Sequence, residues 1–247
     1  MATMAGCSIL VALLLSFLAG LCAGLVTGRL HVACGIPAIL AGILTQLALY
    51  SVNLRIMGKA NQPIHANNYD LLISSRNVKA LSPENPIFVV GVFVVVTIAV
   101  LYWFFGTELG SSLRATGSNA NMARAQGINT NFAKVLALVV SNGLVALSGG
   151  LLAQYQGSAT IDMGRGAIVI GLAAVIIGEV LFSKCFVNFA LKLLAAVIGA
   201  IIYYVVITLV LRLGLESTDL KLLTALVVAV FLSVPYFTSK RTVKARK

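Results

Sequence analysis

The sequence predicts an all-α membrane protein, a polytopic helical bundle with about seven transmembrane helices. Three observations carry this. The 247 residues are 60% hydrophobic and only 10% charged. Mean hydropathy is +1.01. The apolar residues fall in long runs, and the charges sit between them. A soluble chain carries about 25% charged residues. This one could not cover its core with polar surface, so its natural solvent is lipid.

A span needs roughly 20 apolar residues at a rise of about 1.5 Å each. The stretches that reach or approach this are 5–27, 36–54, 87–106, 135–155, 166–182, 193–211 and 222–237. Lipid offers the backbone no hydrogen bonds, so each run is expected to be a helix. The runs are too long and unbroken for the alternating strands of an outer-membrane barrel. Residues 1–28 hold no charge, so the positive region of a signal peptide is missing and 5–27 reads as a span. Leu18-Ala19-Gly20-Leu21-Cys22 is similar to a lipoprotein signal, but Leu21 is bulky where a small residue is needed. Gly20, Gly24 and Gly28 make two overlapping GxxxG steps, which let helix backbones approach closely. Packing within one subunit is the expected use. Cys7, Cys22, Cys34 and Cys185 form no CxxC pair and read as small buried hydrophobes.

The formal net charge is +11. The basic residues form no face or stripe, so they point to membrane topology and not to nucleic acid. The tail 238–247 holds Lys240, Arg241, Lys244, Arg246 and Lys247 and is expected in the cytoplasm. Counting back through seven spans puts residues 107–134 and 183–192 inside as well. It puts the N-terminus outside. The inner set is then Arg29, Arg114, Arg124, Lys134, Lys184, Lys192 and the tail. The outer set is Arg55, Lys59, Arg76, Lys79, Arg165, Arg212 and Lys221. Five acids (Asp70, Glu84, Asp162, Glu216 and Asp219) lie outside and dilute the charge there.

The inner loop 107–131 is the most informative segment. Gly117-Ser118-Asn119 reads as a turn and helix start, with Asn119 as N-cap. Ala120 to Gln126 has good helix formers, and Gly127 suits a C-cap. Met122, Ala123 and Gln126 can share a face. Such a helix would dock in a partner's groove, with Met122 as an adaptable contact, or serve as a plain interfacial connector. Spacing leaves both open.

Arg114-Ala115-Thr116-Gly117 and Met122-Ala123-Arg124-Ala125-Gln126-Gly127-Ile128-Asn129 resemble the cytoplasmic loop of the permease subunits of ABC importers for branched-chain amino acids, sugars and related solutes. The similarity extends through Ser141-Asn142, Ala146-Leu147-Ser148-Gly149, Leu152 to Gly157 and Ile170 to Glu179. Upstream, Ala41 to Thr45 and Leu49 to Gly58 also match. The wording is most similar to permeases paired with a tryptophan- or tyrosine-type binding protein.

The resemblance implies one transmembrane permease domain over 1–247, in the bacterial plasma (inner) membrane. Loop 107–131 would be its coupling loop. Arg114, Gly117, Asn119, Met122, Ala123, Arg124, Gly127 and Ile128 would couple it to a cytoplasmic ABC ATPase. An extracytoplasmic binding protein would deliver the solute, and a second permease copy would complete the pathway. ATP would sit on the partner, so no cofactor is expected on this chain. At Ser118 and Ala120 the family often has an acid and a proline. Family members also carry an upstream segment with another span, ahead of where this sequence begins. A truncated, non-transporting remnant or an assembly subunit is therefore an alternative reading.

Polar residues at membrane depth are candidates for a pathway or for interhelical hydrogen bonds. These are Gln46 and Asn53 in the second span, and Ser141, Asn142, Ser148 and Gln154 in the fourth. Asn142 and Ser148 are six apart and so face different sides. Gln154, Tyr155, Gln156 and Asp162 would line an outer mouth, or Tyr155 would be an interfacial anchor beside a solvated loop. Glu179 would pair with Lys184 or with a loop arginine, or relay protons. Catalysis has no support: His31 and His65 fall in predicted loops, and HExxH, GxSxG and metal-ligand spacings are absent from the sequence. An ion-coupled secondary transporter would want buried acids or broken helices.

Overall fold

A computed structural model describes residues 6–64, 85–164, 167–182 and 188–212, together with Ile73, Leu222 and Ala229. Two compact units result, Met1–Met163 and Gly164–Lys247. The expected span 222–237 and the basic tail 238–247 lie outside the described residues, apart from Leu222 and Ala229.

The first unit opens with α1 (Ile9–Ala33) and α2 (Ala38–Met57). Their corner is set by Gly35, at φ 67°, and by Pro37, whose carbonyl accepts from the Ala41 N–H at 2.9 Å. The first span therefore runs six residues past its expected end. His31 belongs to its last turn and not to a loop, and its Nδ1–H donates to the Ile36 carbonyl at 2.7 Å. A left-handed Gly58 closes α2. Next come β1 (Asn61–Pro63) and α3 (Pro86–Gly106). Asn85 caps α3 through the Ile87 N–H, and Pro86 sits in the first turn, where it sacrifices no helical bond.

Thr107 serves two helices at once. It terminates α3 and caps α4 (Glu108–Ser118) by accepting from the Gly110 N–H. Gly110 rests on the Phe104 and Phe105 backbone, so this tight corner has no room for a Cβ. The chain continues through α5 (Ala120–Ala125), α6 (Thr130–Gln156) and β2 (Ser158–Thr160). A short 3₁₀ turn, Ile161–Gly164, closes the unit. β1 and β2 pair antiparallel, with Asn61 opposite Thr160 and Pro63 opposite Ser158. This ribbon ties the end of α2 to the end of α6. The sequence held no sign of it, because Asn61-Gln62-Pro63 has little strand propensity and its partner is far along the chain.

α1 and α6 pack antiparallel along the glycine stripe. A Cβ added to Gly20 would meet Ala146 Cβ at 2.5 Å, and one on Gly24 would meet Val139 Cα at 2.6 Å. One on Gly28 would meet Val135 Cγ1 at 3.0 Å. The GxxxG steps are thus spent inside one subunit, as expected. Between α1 and α2, the buried Thr27 hydroxyl donates to Thr45 Oγ1 at 2.9 Å, and Thr45 donates to the Ala41 carbonyl at 2.9 Å. Each hydroxyl also lies in reach of a carbonyl of its own helix, Thr27 of Ala23 at 3.0 Å, so the pair links the two helices with neither hydroxyl left unsatisfied.

The second unit holds α7 (Ala167–Phe182) and α8 (Phe189–Arg212). Gly178 lies on the Ala195 backbone and Gly199 on Ala174 and Gly178. Tyr203 fills the cleft against Ala173 and Ile177, 1% exposed, and its Oη has no hydrogen-bond partner.

Among the described residues, five helices are long and apolar enough to cross a membrane: α1, α2, α3, α6 and Phe189–Leu209 of α8. α7 is a shorter apolar helix. Their outer faces are covered in large apolar side chains such as Leu10, Val95 and Leu209. Trp103, 73% exposed near the end of α3, and Tyr155, at the end of α6, suit the aromatic belts of a bilayer. The reading of the cysteines as buried needs correction. Cys7, Cys22 and Cys34 are exposed, Cys22 on a face of α1 where an apolar thiol can meet lipid and the other two beyond the ends of that helix, while Cys185 lies outside the described residues.

Candidate functional site

The corner between α3 and α6 collects the eight coupling candidates. Arg114 and Gly117 stand on α4, Asn119 between α4 and α5, and Met122, Ala123 and Arg124 on α5. Gly127 and Ile128 make the turn into α6. The segment before Asn119 is not the expected turn: Gly117 and Ser118 finish an eleven-residue helix. Its polarity conceals it, because Ser111, Ser112 and Thr116 return their hydroxyls to carbonyls of the same helix.

α5 is one and a half turns long and cannot hold itself together. Its ends supply what its length lacks. Asn119 Oδ1 accepts from the Asn121 and Met122 N–H groups, each at 3.1 Å. At the other end the Ile128 N–H reaches the Ala123 carbonyl and the Gly127 N–H the Arg124 carbonyl. These are the two bonds of a Schellman cap, with Gly127 at φ 84°. Asn129 then caps α6 through the Phe132 N–H at 3.1 Å.

Packing decides which residues of α5 are exposed. Ala123 is 2% exposed and Met122 60%. The expected shared face is therefore split, with Met122 and Gln126 outward and Ala123 packed inward. Arg114 and Arg124 are exposed, and Ile128 is half-buried. Thr130, which the sequence did not single out, is 2% exposed and accepts a hydrogen bond from Arg124 Nη2 at 3.1 Å. Its only sequence signal is its place just after the Asn129 cap. The corner thus presents an apolar knob and guanidinium groups on a short helix capped at both ends.

The pathway candidates lie in different local surroundings. Gln46 and Asn53 are exposed on α2, and Ser148 is exposed on α6. Asn142 lies in the α1–α6 seam and donates to its own helix at the Leu138 carbonyl. Glu179 is exposed on α7, and its candidate partner Lys184 lies outside the described residues. Gln154 is 5% exposed and its Oε1 has no partner. No hydrogen bond joins any two of these residues among those described.

Five apolar helices long enough to cross a bilayer, with a capped helical corner between two of them, put the described residues in the class of multi-pass membrane proteins. The chain is a member of the branched-chain amino acid transport system permease component family, whose profile matches residues 1–233. It is 41% identical over 232 residues to the tyrosine transport system permease protein of Clostridioides difficile, covering 92% of this chain and 74% of that one. It is 34% identical to an uncharacterised protein of Rickettsia prowazekii, covering 80% and 69%. The autoinducer 2 import system permease protein LsrC of Photorhabdus laumondii is 31% identical over 59% of this chain and 42% of its own length. No solved structure matches. The protein is thus a permease of the ABC-importer kind, set in the bacterial plasma membrane by several apolar helices.

Proposed function

We propose that this chain is the membrane-spanning subunit of an importer for an amino acid, an aromatic one such as tyrosine. An extracytoplasmic binding protein delivers the solute. A separate cytoplasmic ABC ATPase docks on α5, binds the ATP and drives transport by rigid-body movement of the spans. A second copy of the permease completes the pathway, with Gln46, Asn53, Asn142, Ser148, Gln154 and Glu179 as its candidate polar lining. The observation that carries the docking is the exposed Met122 on a doubly capped helix. The tyrosine permease relative supports the choice of substrate. The ion-coupled and non-transporting readings draw no support from the relatives.

The test is the complex of permease, ATPase and binding protein in proteoliposomes. Tyrosine is expected to stimulate ATP hydrolysis severalfold and to accumulate inside. Stimulation by leucine but not tyrosine would replace the substrate and keep the mechanism. ATP hydrolysis indifferent to every amino acid would contradict the importer.

A further inference from the structure

An ATPase that grips α5 drives the spans only if α5 carries α6 with it. The turn between them is a poor guarantor of that. Gly127 is left-handed, and nothing lies within 4 Å of where its Cβ would be. No side chain there blocks a pivot. The cap at Gly127 is made of backbone bonds and that at Asn129 of its own side chain accepting from Phe132, and each fixes only its own helix end. The tie that spans the turn is a side-chain one, from Arg124 Nη2 to Thr130 Oγ1 at 3.1 Å. Its two ends differ in kind. Thr130 is buried in the first turn of α6, next to a buried Ala133. Arg124 stays exposed, and a guanidinium has five N–H donors in a fixed fork. One donor holds Thr130, and the others remain for acceptors on a docked partner.

We propose that Arg124 and Thr130 form a coupling latch. Thr130 is a positioning residue that touches no partner. It binds the guanidinium that does, and so converts a displacement of α5 into a displacement of α6. The latch rests on the importer reading, since it needs a motor on α5. It separates two properties that a plain docking contact would lose together. Removing the Thr130 hydroxyl should leave the ATPase bound and disconnect it from the spans.

Two measurements test this. In the isolated permease in detergent, Thr130→Val and Arg124→Met should each speed amide exchange across residues 120–128 by about fivefold, the scale of one hydrogen bond. The double variant should exchange no faster than either single one, because both cut the same tie. In the complex, Tyr155→Cys at the far end of α6 reports the spans without any substrate. In a background lacking the native cysteines, ATP with vanadate should change its rate of maleimide labelling. In Thr130→Val the ATPase should co-purify within twofold of normal while the ATP-dependent change disappears, and Thr130→Ser should restore it. Additive exchange effects, or an undiminished ATP-dependent change in Thr130→Val, would overturn the latch. Failure of the importer reading looks different: there the unsubstituted protein would neither retain the ATPase nor respond to ATP.

Discussion

Gly24→Leu gives no folded permease. A single Cβ at this position would already lie 2.6 Å from Val139 Cα and 2.7 Å from the Leu138 carbonyl. These are backbone atoms of α6, so no rotamer change relieves them. The helices must separate, and separation opens the seam at Gly20 and Gly28 as well, where the same close approach recurs. In lipid that seam is held by close van der Waals packing, because the apolar faces gain nothing by leaving lipid for each other. Gly24→Ala should cost about 1–3 kcal/mol, the usual range for overpacking. Gly42 on α2 is the control, since its Cβ position is open. Gly42→Ala should be neutral or should stabilise by up to about 1 kcal/mol through helix propensity. Thermal unfolding in detergent, followed by size-exclusion chromatography, reads all three. A Gly24→Leu protein that melts with the unsubstituted one would remove the α1–α6 seam from the fold.

Met122→Asp is expected to fold normally and to lose the partner ATPase. Met122 is exposed, so the substitution disturbs nothing inside the chain. Burying a methionine against a partner is worth about 1.5–3 kcal/mol, and an unpaired carboxylate there costs more. Affinity should therefore fall at least about tenfold, which corresponds to about 1.4 kcal/mol. Gly149→Ala is the matched control. Gly149 sits inside α6, well along the helix from the α5 corner, with open space around it, so its replacement should leave docking unchanged. Co-purification with the ATPase, against the thermal stability of each variant, separates the two. Equal retention by Met122→Asp would move the docking surface away from α5.

Much of this architecture was legible in the sequence because lipid imposes simple rules. Apolar run length gave the long helices, and the four-residue glycine spacing marked α1 as closely packed within the subunit, though not α6 as its partner. Asn119 and Gly127 bracketed α5 correctly because capping is local chemistry. What the sequence concealed was everything set by direction or distance. Ser111, Ser112 and Thr116 make α4 read as loop until their hydroxyls are seen to bond within it. Ala123 and Met122 are neighbours of similar helical fitness, and only packing turns one inward and the other out. Thr27 and Thr45 lie inside apolar runs, where nothing marks them as a pair until α1 and α2 meet. The β1–β2 ribbon joins segments that have no local reason to be strands.

All of this depends on one handedness in the membrane. α6 has 27 residues, enough to cross the bilayer, so α5 at its start and the ribbon at its end belong to opposite faces. The direct measurement uses Met122→Cys and Gln156→Cys, each in a protein whose native cysteines have been replaced, with a membrane-impermeant maleimide. Met122→Cys should react in inside-out vesicles and stay silent in intact cells, while Gln156→Cys should react in intact cells. Labelling of Met122→Cys from outside the cell would put α5 beyond the reach of a cytoplasmic motor and contradict the mechanism.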